Sequence, residues 1–224
     1  MNFTGIGLYT LKEAQRFTGV DARQASRWLF CRRFNRGTSA PLWTTQLSDA
    51  KRGGVRFIGF RDLLELRIIN ALAAQNIPLR AIGATIDRAR NQFAIDYPLT
   101  SRRFLMEGQS IFYDALNELG DMRSISQACQ PLIFELIVRP ELYAGVEFSD
   151  SGLARRWFPN KYSRVIVLDP EIAFGKPILT RFGIRTEVVA ASFAVEKSAR
   201  RVAALFDLPV AQVAAAIRYE ALAV

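Results

Sequence analysis

The sequence predicts an α+β protein that is mainly helical and built from three parts. In the first 90 residues, apolar side chains recur at spacings of three and four, as they do in amphipathic helices. Between about residues 95 and 165, short apolar runs bounded by Gly and Pro favour strands. The C-terminal end returns to helical spacing. We therefore expect an N-terminal domain over residues 1–92, a small β-containing middle module over 93–163 and a C-terminal helical module over 164–224.

Two short helices joined by a tight turn open the N-terminal domain. Thr10 is a good N-cap for the first helix, Gly19 interrupts it, and Asp21 is a good N-cap for the second. The second helix directs Ala25 and Trp28 towards a core. A helix, a glycine-containing turn and another helix form the helix-turn-helix arrangement, whose second helix enters the major groove of DNA. The alternative interpretation is a solvated basic helix in an ordinary bundle.

The polar face of this second helix predicts a set of DNA-binding side chains. Arginine matches guanine and glutamine matches adenine through paired hydrogen bonds. The candidates for contact with bases are Arg23, Gln24, Ser26 and Arg27. Arg32 and Arg33 follow at once and are candidates for contact with phosphates, as is the neighbouring Arg36.

The segment after these helices predicts a wing, a hairpin beside the recognition helix. Residues 42–47 and 55–58 are expected to form its strands, and residues 51–54 its tip. Glycine at the tip permits close approach to DNA, and Lys51, Arg52 and Arg56 supply cations for phosphates. A solvated loop is the alternative.

Charge is concentrated in the same region. The chain has a net charge of +9, and residues 1–60 hold ten Lys or Arg against three Asp or Glu, which gives +7. The remaining segments, 61–165 and 166–224, each carry +1. A basic patch on one module is typical of nucleic-acid binding. A membrane surface would also attract cations, but no strongly amphipathic basic helix accompanies the patch.

Composition limits the other functional classes. Histidine is absent, which excludes Ser-His-Asp and Cys-His catalysis and removes the commonest ligand of transition metals. We expect no catalytic residues, no bound metal and no cofactor. The only cysteines, Cys31 and Cys129, predict neither a disulfide framework nor a zinc site. With no long apolar run and no signal peptide, the sequence predicts a cytoplasmic protein without a membrane anchor.

The N-terminal region resembles a MerR-type winged helix-turn-helix. Four spaced pieces carry the resemblance: Tyr9 to Ala14 with Thr18-Gly19-Val20 and Trp28-Leu29; Arg56 to Leu63; Leu66 to Leu72; and Ile77 to Ile82. The resemblance implies two further helices after the wing, which we expect over residues 61–75 and from Pro78 to about Arg90. A long antiparallel dimerisation helix follows in that family. Here the sequence predicts that this helix is missing.

The middle module is expected to be mostly β. Residues 103–106 and 110–113 flank Glu107-Gly108-Gln109 and predict a hairpin. Residues 133–138 form an apolar run compatible with either a strand or a helix. Residues 143–148 and 154–158 are further strand candidates.

The C-terminal module combines a short hairpin with three helices. Residues 165–168 predict a strand, and Ile178 and Leu179 lie in a hairpin. Thr186 is expected to N-cap a helix that runs to Phe193. Two more helices, over residues 198–206 and 209–221, are joined by Asp207-Leu208 and predict another helix-turn-helix-like pair.

This module resembles a C-terminal domain family found in toxin–antitoxin operons. The motifs that match are Asp169-Pro170, Gly175-Lys176-Pro177, Gly183-Ile184-Arg185-Thr186 and Ala216-Ile217-Arg218-Tyr219. With the MerR-like head, the full arrangement resembles mycobacterial VapB-type antitoxins of VapBC systems. The resemblance implies a homodimer that represses its own operator DNA and neutralises a PIN-type ribonuclease toxin. Candidate toxin-binding residues are Lys176, Arg200, Arg201 and Arg218.

Two other functions remain open at this point. One is a stand-alone MerR-like transcription regulator with a small-molecule effector. The other is an enzyme, for example a carboxylate-dependent nuclease, although no cluster of acidic residues supports it.

Overall fold

The described residues form an α+β, mainly helical fold, as the sequence predicts. The computed structural model describes residues 5–30, 32–34, 37–47, 51–52, 54–119, 140–160 and 162–221. Side chains are not described for residues 32–34, 37–39, 51–52, 140 and 141. The apolar run 133–138 lies outside the described residues.

Two compact units divide this chain. The head unit comprises the described residues within 9–143 and 148–154, and the C-terminal unit comprises those within 1–8, 144–147 and 155–224. The predicted middle module, residues 93–163, is thus shared between the two units.

The head unit begins with the predicted helix-turn-helix. Strand β1 (Tyr9–Thr10) leads into helix α1 (Leu11–Thr18), where Thr10 and Glu13 form a reciprocal capping box. Gly19 ends α1 in the left-handed conformation, with φ of 74°. Residues with a Cβ rarely adopt this φ, so glycine fits the turn. Helix α2 (Ala22–Leu29) follows.

Two hairpins follow α2. Strands β2 (Arg32–Phe34) and β3 (Gly37–Ser39) form the first, and β4 (Lys51–Arg52) and β5 (Val55–Ile58) form the second. Strand β5 also pairs antiparallel with β1, which makes a three-stranded sheet. A hairpin therefore lies where the sequence predicts the wing, and we keep that name for it. Its outer strand is residues 51–52, which were predicted to be part of the tip.

The prediction of a strand over residues 42–47 is wrong. Side chains there alternate as in a strand, because Trp43, Thr45 and Leu47 are buried. The segment pairs with no described strand, however, because its backbone N–H groups donate hydrogen bonds to residues of helices. The Leu42 N–H donates to the Trp28 carbonyl (2.8 Å), and the Gln46 N–H donates to the Asp62 carboxylate (3.0 Å).

Helices α3 (Phe60–Ala73) and α4 (Leu79–Phe93) form the centre of the head unit. Helix α3 is buried on nearly every side, and its buried residues include Leu63, Leu66 and Ile69. Such a helix is stable only inside a core. Asn76, at a φ of 60°, lies in the turn before Pro78, the N-cap of α4.

The predicted hairpin over residues 103–113 is also wrong, because helix α5 (Arg102–Leu119) occupies this segment. It packs antiparallel on α4: Arg103 lies 4.4 Å from the ring centre of Phe93, and Arg88 forms ion pairs with Asp114 and Glu118. A long helix therefore follows α4, and it packs on a helix of its own chain; whether a dimerisation helix is missing stays a prediction. The buried face of α5 consists of Phe104, Gly108, Ile111, Phe112, Ala115 and Leu116.

Gly108 explains why this helix resembles a turn in sequence. A Cβ at Gly108 would lie 2.8 Å from the Phe104 ring, which is almost completely buried. Glycine therefore makes room for the aromatic ring one helical turn earlier.

Two carboxylates are buried in α3. Glu65 accepts hydrogen bonds from the backbone N–H (2.9 Å) and hydroxyl (3.0 Å) of Thr100. Burial raises the pKa of Glu65 from 4.5 to about 8, and the donors at Thr100 offset only part of that effect. Burial likewise raises the pKa of Asp62 to about 6.

These raised pKa values predict a loss of stability with increasing pH. The folded chain binds a proton on Glu65 that the unfolded chain releases near pH 4.5, so the stabilisation is complete below that pH and is lost as pH rises through about 8. Urea unfolding should give a lower free energy of unfolding at pH 8.5 than at pH 6. Glu65→Gln, which keeps the acceptor oxygen, should flatten this dependence, and an equally steep fall in the variant would contradict the assignment.

The C-terminal unit has short sheets and three helices. Strands β6 (Val146–Phe148) and β7 (Ala154–Trp157) pair with each other, and all of their residues except Phe148 and Ala154 belong to this unit. Strand β8 (Ile166–Val167) pairs antiparallel with β9 (Ile178–Leu179). Helices α6 (Thr186–Glu196), α7 (Ala199–Phe206) and α8 (Val210–Ala221) follow. Their core consists mainly of Leu179, Val189, Val202, Leu208, Val213 and Ala216.

Thr186 does not cap α6, contrary to the prediction. Arg185 is the N-cap residue, and Thr186 is fully buried as the first helical residue. The Thr186 hydroxyl hydrogen-bonds to the Pro177 carbonyl and to the Glu220 carboxylate, so it joins the start of α6 to α8.

No single helix in the described part of the chain has the length and hydropathy of a membrane span. Helices α7 and α8 meet that criterion only together, and they are bent by 110° relative to each other.

Candidate nucleic-acid interface

Helix α2 separates a buried face from a cationic face. Ala25, Trp28 and Leu29 are at most 4% exposed and anchor the helix in the head unit. Arg23 and Arg27 lie in solvent on the other side. Gln24 and Ser26, the other predicted base-reading residues, are half-buried beside them. The structure thus brings all four predicted side chains onto one short helix with a fixed orientation.

The first amides of α2 have hydrogen-bond partners inside the head. The Asp21 carboxylate accepts from the N–H groups of Arg23 (2.9 Å) and Gln24 (3.2 Å). The Gln15 side chain accepts from the Ala22 N–H (3.1 Å). These donors are therefore already used, and any anion bound by α2 must be held by its side chains. Sequence reasoning missed Gln15, because its contact joins two helices and has no local signal.

The predicted phosphate-binding residues occupy the two hairpins. Arg32 and Arg33 belong to β2, and Lys51 and Arg52 belong to β4, but their side chains lie outside the described part of the structure. Lys51 is the ladder partner of Arg56. Three predicted cations, residues 51, 52 and 56, therefore share one hairpin. Arg36 is outside the described residues.

Arg56 also has a packing role that the sequence did not indicate. Its guanidinium lies 4.5 Å from the ring centre of Phe30, the residue that caps the C-terminal end of α2. A cation over an aromatic face is favourable by about 0.5–1 kcal/mol at an exposed site. Arg56 thus links strand β5 to the C-terminal end of α2.

A second contact fixes the segment before the wing. The Trp43 indole N–H donates to Asp62 (2.8 Å), which also accepts from the Gly59 N–H (2.8 Å). Asp62 is completely buried. This carboxylate therefore joins the segment before the wing to the start of α3.

The predicted toxin-binding residues lie on three elements of the C-terminal unit. Lys176 is half-buried in the turn before β9, and Arg200 and Arg201 are exposed in the first turn of α7. Arg201 lies 4.0 Å from Glu196. Arg218 is exposed in the last turn of α8.

The helix pair α7 and α8 has the angle of a helix-turn-helix but a different surface. Helix α8 exposes Val210, Ala211 and Arg218, so it offers few donors or acceptors to base edges. Helix α2 is therefore the better candidate for reading DNA. Among the described residues, no three His, Cys, Asp or Glu side chains are grouped as metal ligands.

Comparison with known proteins gives a fold and a partial family match. The crystal structure of Rv2018 from Mycobacterium tuberculosis superposes with a TM-score of 0.69 at 20% identity, over 96% of this chain and 99% of that chain. At this identity the similarity shows a shared fold. No curated protein matches. Residues 166–219 match the DUF433 family of proteins of unknown function, so the C-terminal unit is similar to that family.

Proposed function

We propose that this chain is a DNA-binding repressor that also acts as the antitoxin of a type II toxin–antitoxin system in the cytoplasm. The observation that carries the DNA-binding part is the exposed face of α2, where Arg23 and Arg27 project from a helix anchored by Trp28. Arginine and glutamine on such a face have the donors needed to read guanine and adenine. The +7 charge of residues 1–60 supplies the attraction to phosphate.

The chain acts as a homodimer in this proposal, so that two α2 helices lie about 34 Å apart on a palindromic operator. Helix α5 offers a surface for this contact. On its side away from α4, Met106 is 68% exposed and Tyr113 is 43% exposed, and two helical turns separate them.

We predict that Met106→Glu combined with Tyr113→Glu shifts the protein from dimer to monomer and lowers operator affinity at least about tenfold, because like charges would meet across the two-fold axis. Analytical ultracentrifugation measures the first effect, and gel shift measures the second. The matched control is Gln109→Glu with Asn117→Glu, which adds equal charge without removing apolar area. A dimer unchanged in the first variant would exclude α5 as the interface.

The antitoxin part rests on the C-terminal motifs described above and on the exposed arginines of this unit. We propose that Arg200, Arg201 and Arg218, with Lys176, contact an acidic surface of a PIN-type ribonuclease. Arginine pairs with carboxylates through two hydrogen bonds in a fixed geometry, which suits an interface of this kind.

Base reading and phosphate binding are separable by mutation. Arg23→Ala should reduce the preference for operator over random DNA by about 5- to 150-fold, because one paired contact to a base contributes about 1–3 kcal/mol of discrimination. Lys51→Ala should weaken binding to both DNAs alike and reduce the slope of log K against log salt by about 1. Fluorescence anisotropy over a range of salt concentrations measures both quantities.

Arg200→Ala is the control, because it removes an exposed arginine from the C-terminal unit. Its operator affinity should equal that of the wild type. Equal losses on operator and random DNA for both Arg23→Ala and Lys51→Ala would contradict the assignment of α2 as the reading helix.

The antitoxin part is tested by co-purification. Tagged chain expressed with its neighbouring genes should retain a stoichiometric PIN-type protein, identified by mass spectrometry, and should suppress its ribonuclease activity. A chain that purifies alone and still binds its own upstream DNA would instead support the stand-alone regulator.

A further inference from the structure

The C-terminal unit contains a cleft that the proposed function does not explain. It has a volume of about 180 Å³ and lies between residues 159, 160 and 163 on one side and strand β8 and helix α8 on the other. Its polar side chains belong to Asn160, Ser163, Arg218 and Tyr219. Its apolar walls are formed by Pro159, Val165, Ile166 and Ala215.

Hydrogen-bond donors dominate the polar part of the cleft. The Asn160 side-chain oxygen accepts from the Tyr162 N–H (3.0 Å), and the Asn160 carbonyl accepts from the Ser163 N–H (3.1 Å). These bonds shape the loop and leave the side-chain amide N–H groups of Asn160 available. Arg218 has donors only. Within the described residues, no carboxylate forms an ion pair with Arg218.

This arrangement favours an anion of limited size. A guanidinium with additional N–H and O–H donors binds carboxylate oxygens by charge-assisted hydrogen bonds. The volume is below the roughly 300–1,000 Å³ typical of sites for whole cofactors and drug-sized ligands. The walls of Val165, Ile166 and Ala215 would cover an apolar stem.

We propose that this cleft binds a single carboxylate carried on a short apolar stem, with Arg218 as its ion-pair partner. The carboxylate belongs either to an acidic side chain of a protein partner or to a free small molecule. Arg218 is also part of the proposed toxin-binding surface, and the protein-partner source would place one toxin carboxylate in the cleft. The test uses small probes, so its outcome does not depend on the toxin or on operator binding.

The experiment is a titration of the uniformly ¹⁵N-labelled full chain with benzoate, followed by amide chemical shifts. Benzoate should shift the amides of Ser163, Arg218 and Tyr219 in a saturable way, and the uncharged isostere benzamide should bind at least tenfold more weakly. Arg218→Ala should reduce benzoate affinity at least tenfold, whereas Arg181→Ala, at an exposed arginine that does not line the cleft, should leave it unchanged. Equal binding of benzoate and benzamide, or unchanged affinity in Arg218→Ala, would overturn the proposal.

A second arm identifies the source of the carboxylate. The peptide N-acetyl-Leu-Glu-Leu-amide carries one carboxylate on a side chain, and isovalerate is a free carboxylate with a similar stem. Tighter binding of the peptide supports a protein partner, and tighter binding of isovalerate supports a small-molecule effector. If neither shifts the amides of Ser163 and Arg218, the proposal fails, while operator binding by α2 would still stand on its own measurement.

Discussion

Gly145→Ala is expected to destabilise the C-terminal unit by roughly 3 kcal/mol or more, because the new methyl group has no room and the backbone is already in a region that favours glycine. Gly145 has a φ of 78°, and a Cβ there would lie 2.0 Å from the Phe158 carbonyl oxygen. The Phe158 N–H also donates to the Gly145 carbonyl (2.8 Å), so the segments that hold these two residues cannot separate without losing this bond. Urea unfolding followed by circular dichroism measures the effect.

The matched control is Gly183→Ala. Gly183 has a similar φ of 66°, but a Cβ there would have no neighbour within 4 Å. This variant carries the conformational cost alone, about 1 kcal/mol. Equal destabilisation of the two variants would show that the contact with Phe158 contributes nothing.

Asp62→Ala is expected to destabilise the head unit by about 3–5 kcal/mol, because it leaves two buried N–H donors and one partly buried N–H donor without an acceptor. These donors are the Trp43 indole (2.8 Å), the Gln46 amide (3.0 Å) and the Gly59 amide (2.8 Å). Two of them precede β4 and β5, so the operator binding that we propose for the head unit should decline as well. Denaturant unfolding and gel shift with the same preparation measure both effects.

Asp87→Ala provides the comparison. Asp87 is 66% exposed and forms a loose ion pair with Arg90 on the same helix (3.4 Å). Exposed pairs of this kind contribute less than about 1 kcal/mol, so this variant should remain close to the wild type. A similarly small effect for Asp62→Ala would mean that water replaces the carboxylate.

The helix-turn-helix was predictable because its signals are local. Thr10, Gly19 and Asp21 each specify a helix end through their own backbone or side-chain chemistry, without help from distant residues. The same signals placed Arg23 and Arg27 on an exposed face. The general order of helices and strands in the C-terminal unit was predictable for the same reason.

Helix α5 was not predictable in this way, because its glycine is explained by packing. Gly108 resembles a turn residue in sequence, yet in the structure it accommodates the Phe104 ring. The apolar residues from Phe104 to Leu116 do follow the helical period, and this spacing agrees with the observed helix. Residues 42–47 were predicted to form a strand. Their burial does alternate in the structure, but no described strand pairs with them.

Long-range contacts explain the remaining differences between the prediction and the structure. The bond between Trp43 and Asp62 spans 19 residues, and the bond between Thr186 and Glu220 spans 34. No local pattern specifies either bond. Arg56 was predicted as a phosphate ligand, but its position over Phe30 depends on how the wing folds back on α2.

The division of the chain between the two units has a consequence for which fragments of it can fold. Residues 5–8 belong to the C-terminal unit although they precede the head, and residues 148–154 belong to the head although they follow residues 144–147 of the C-terminal unit. A fragment that ends at residue 143 would lack Gly152, whose carbonyl accepts from the Arg102 N–H at the start of α5 (2.8 Å). Neither unit is therefore a single continuous stretch of the sequence. An exchange of the head unit between two chains of this fold would therefore need several breakpoints.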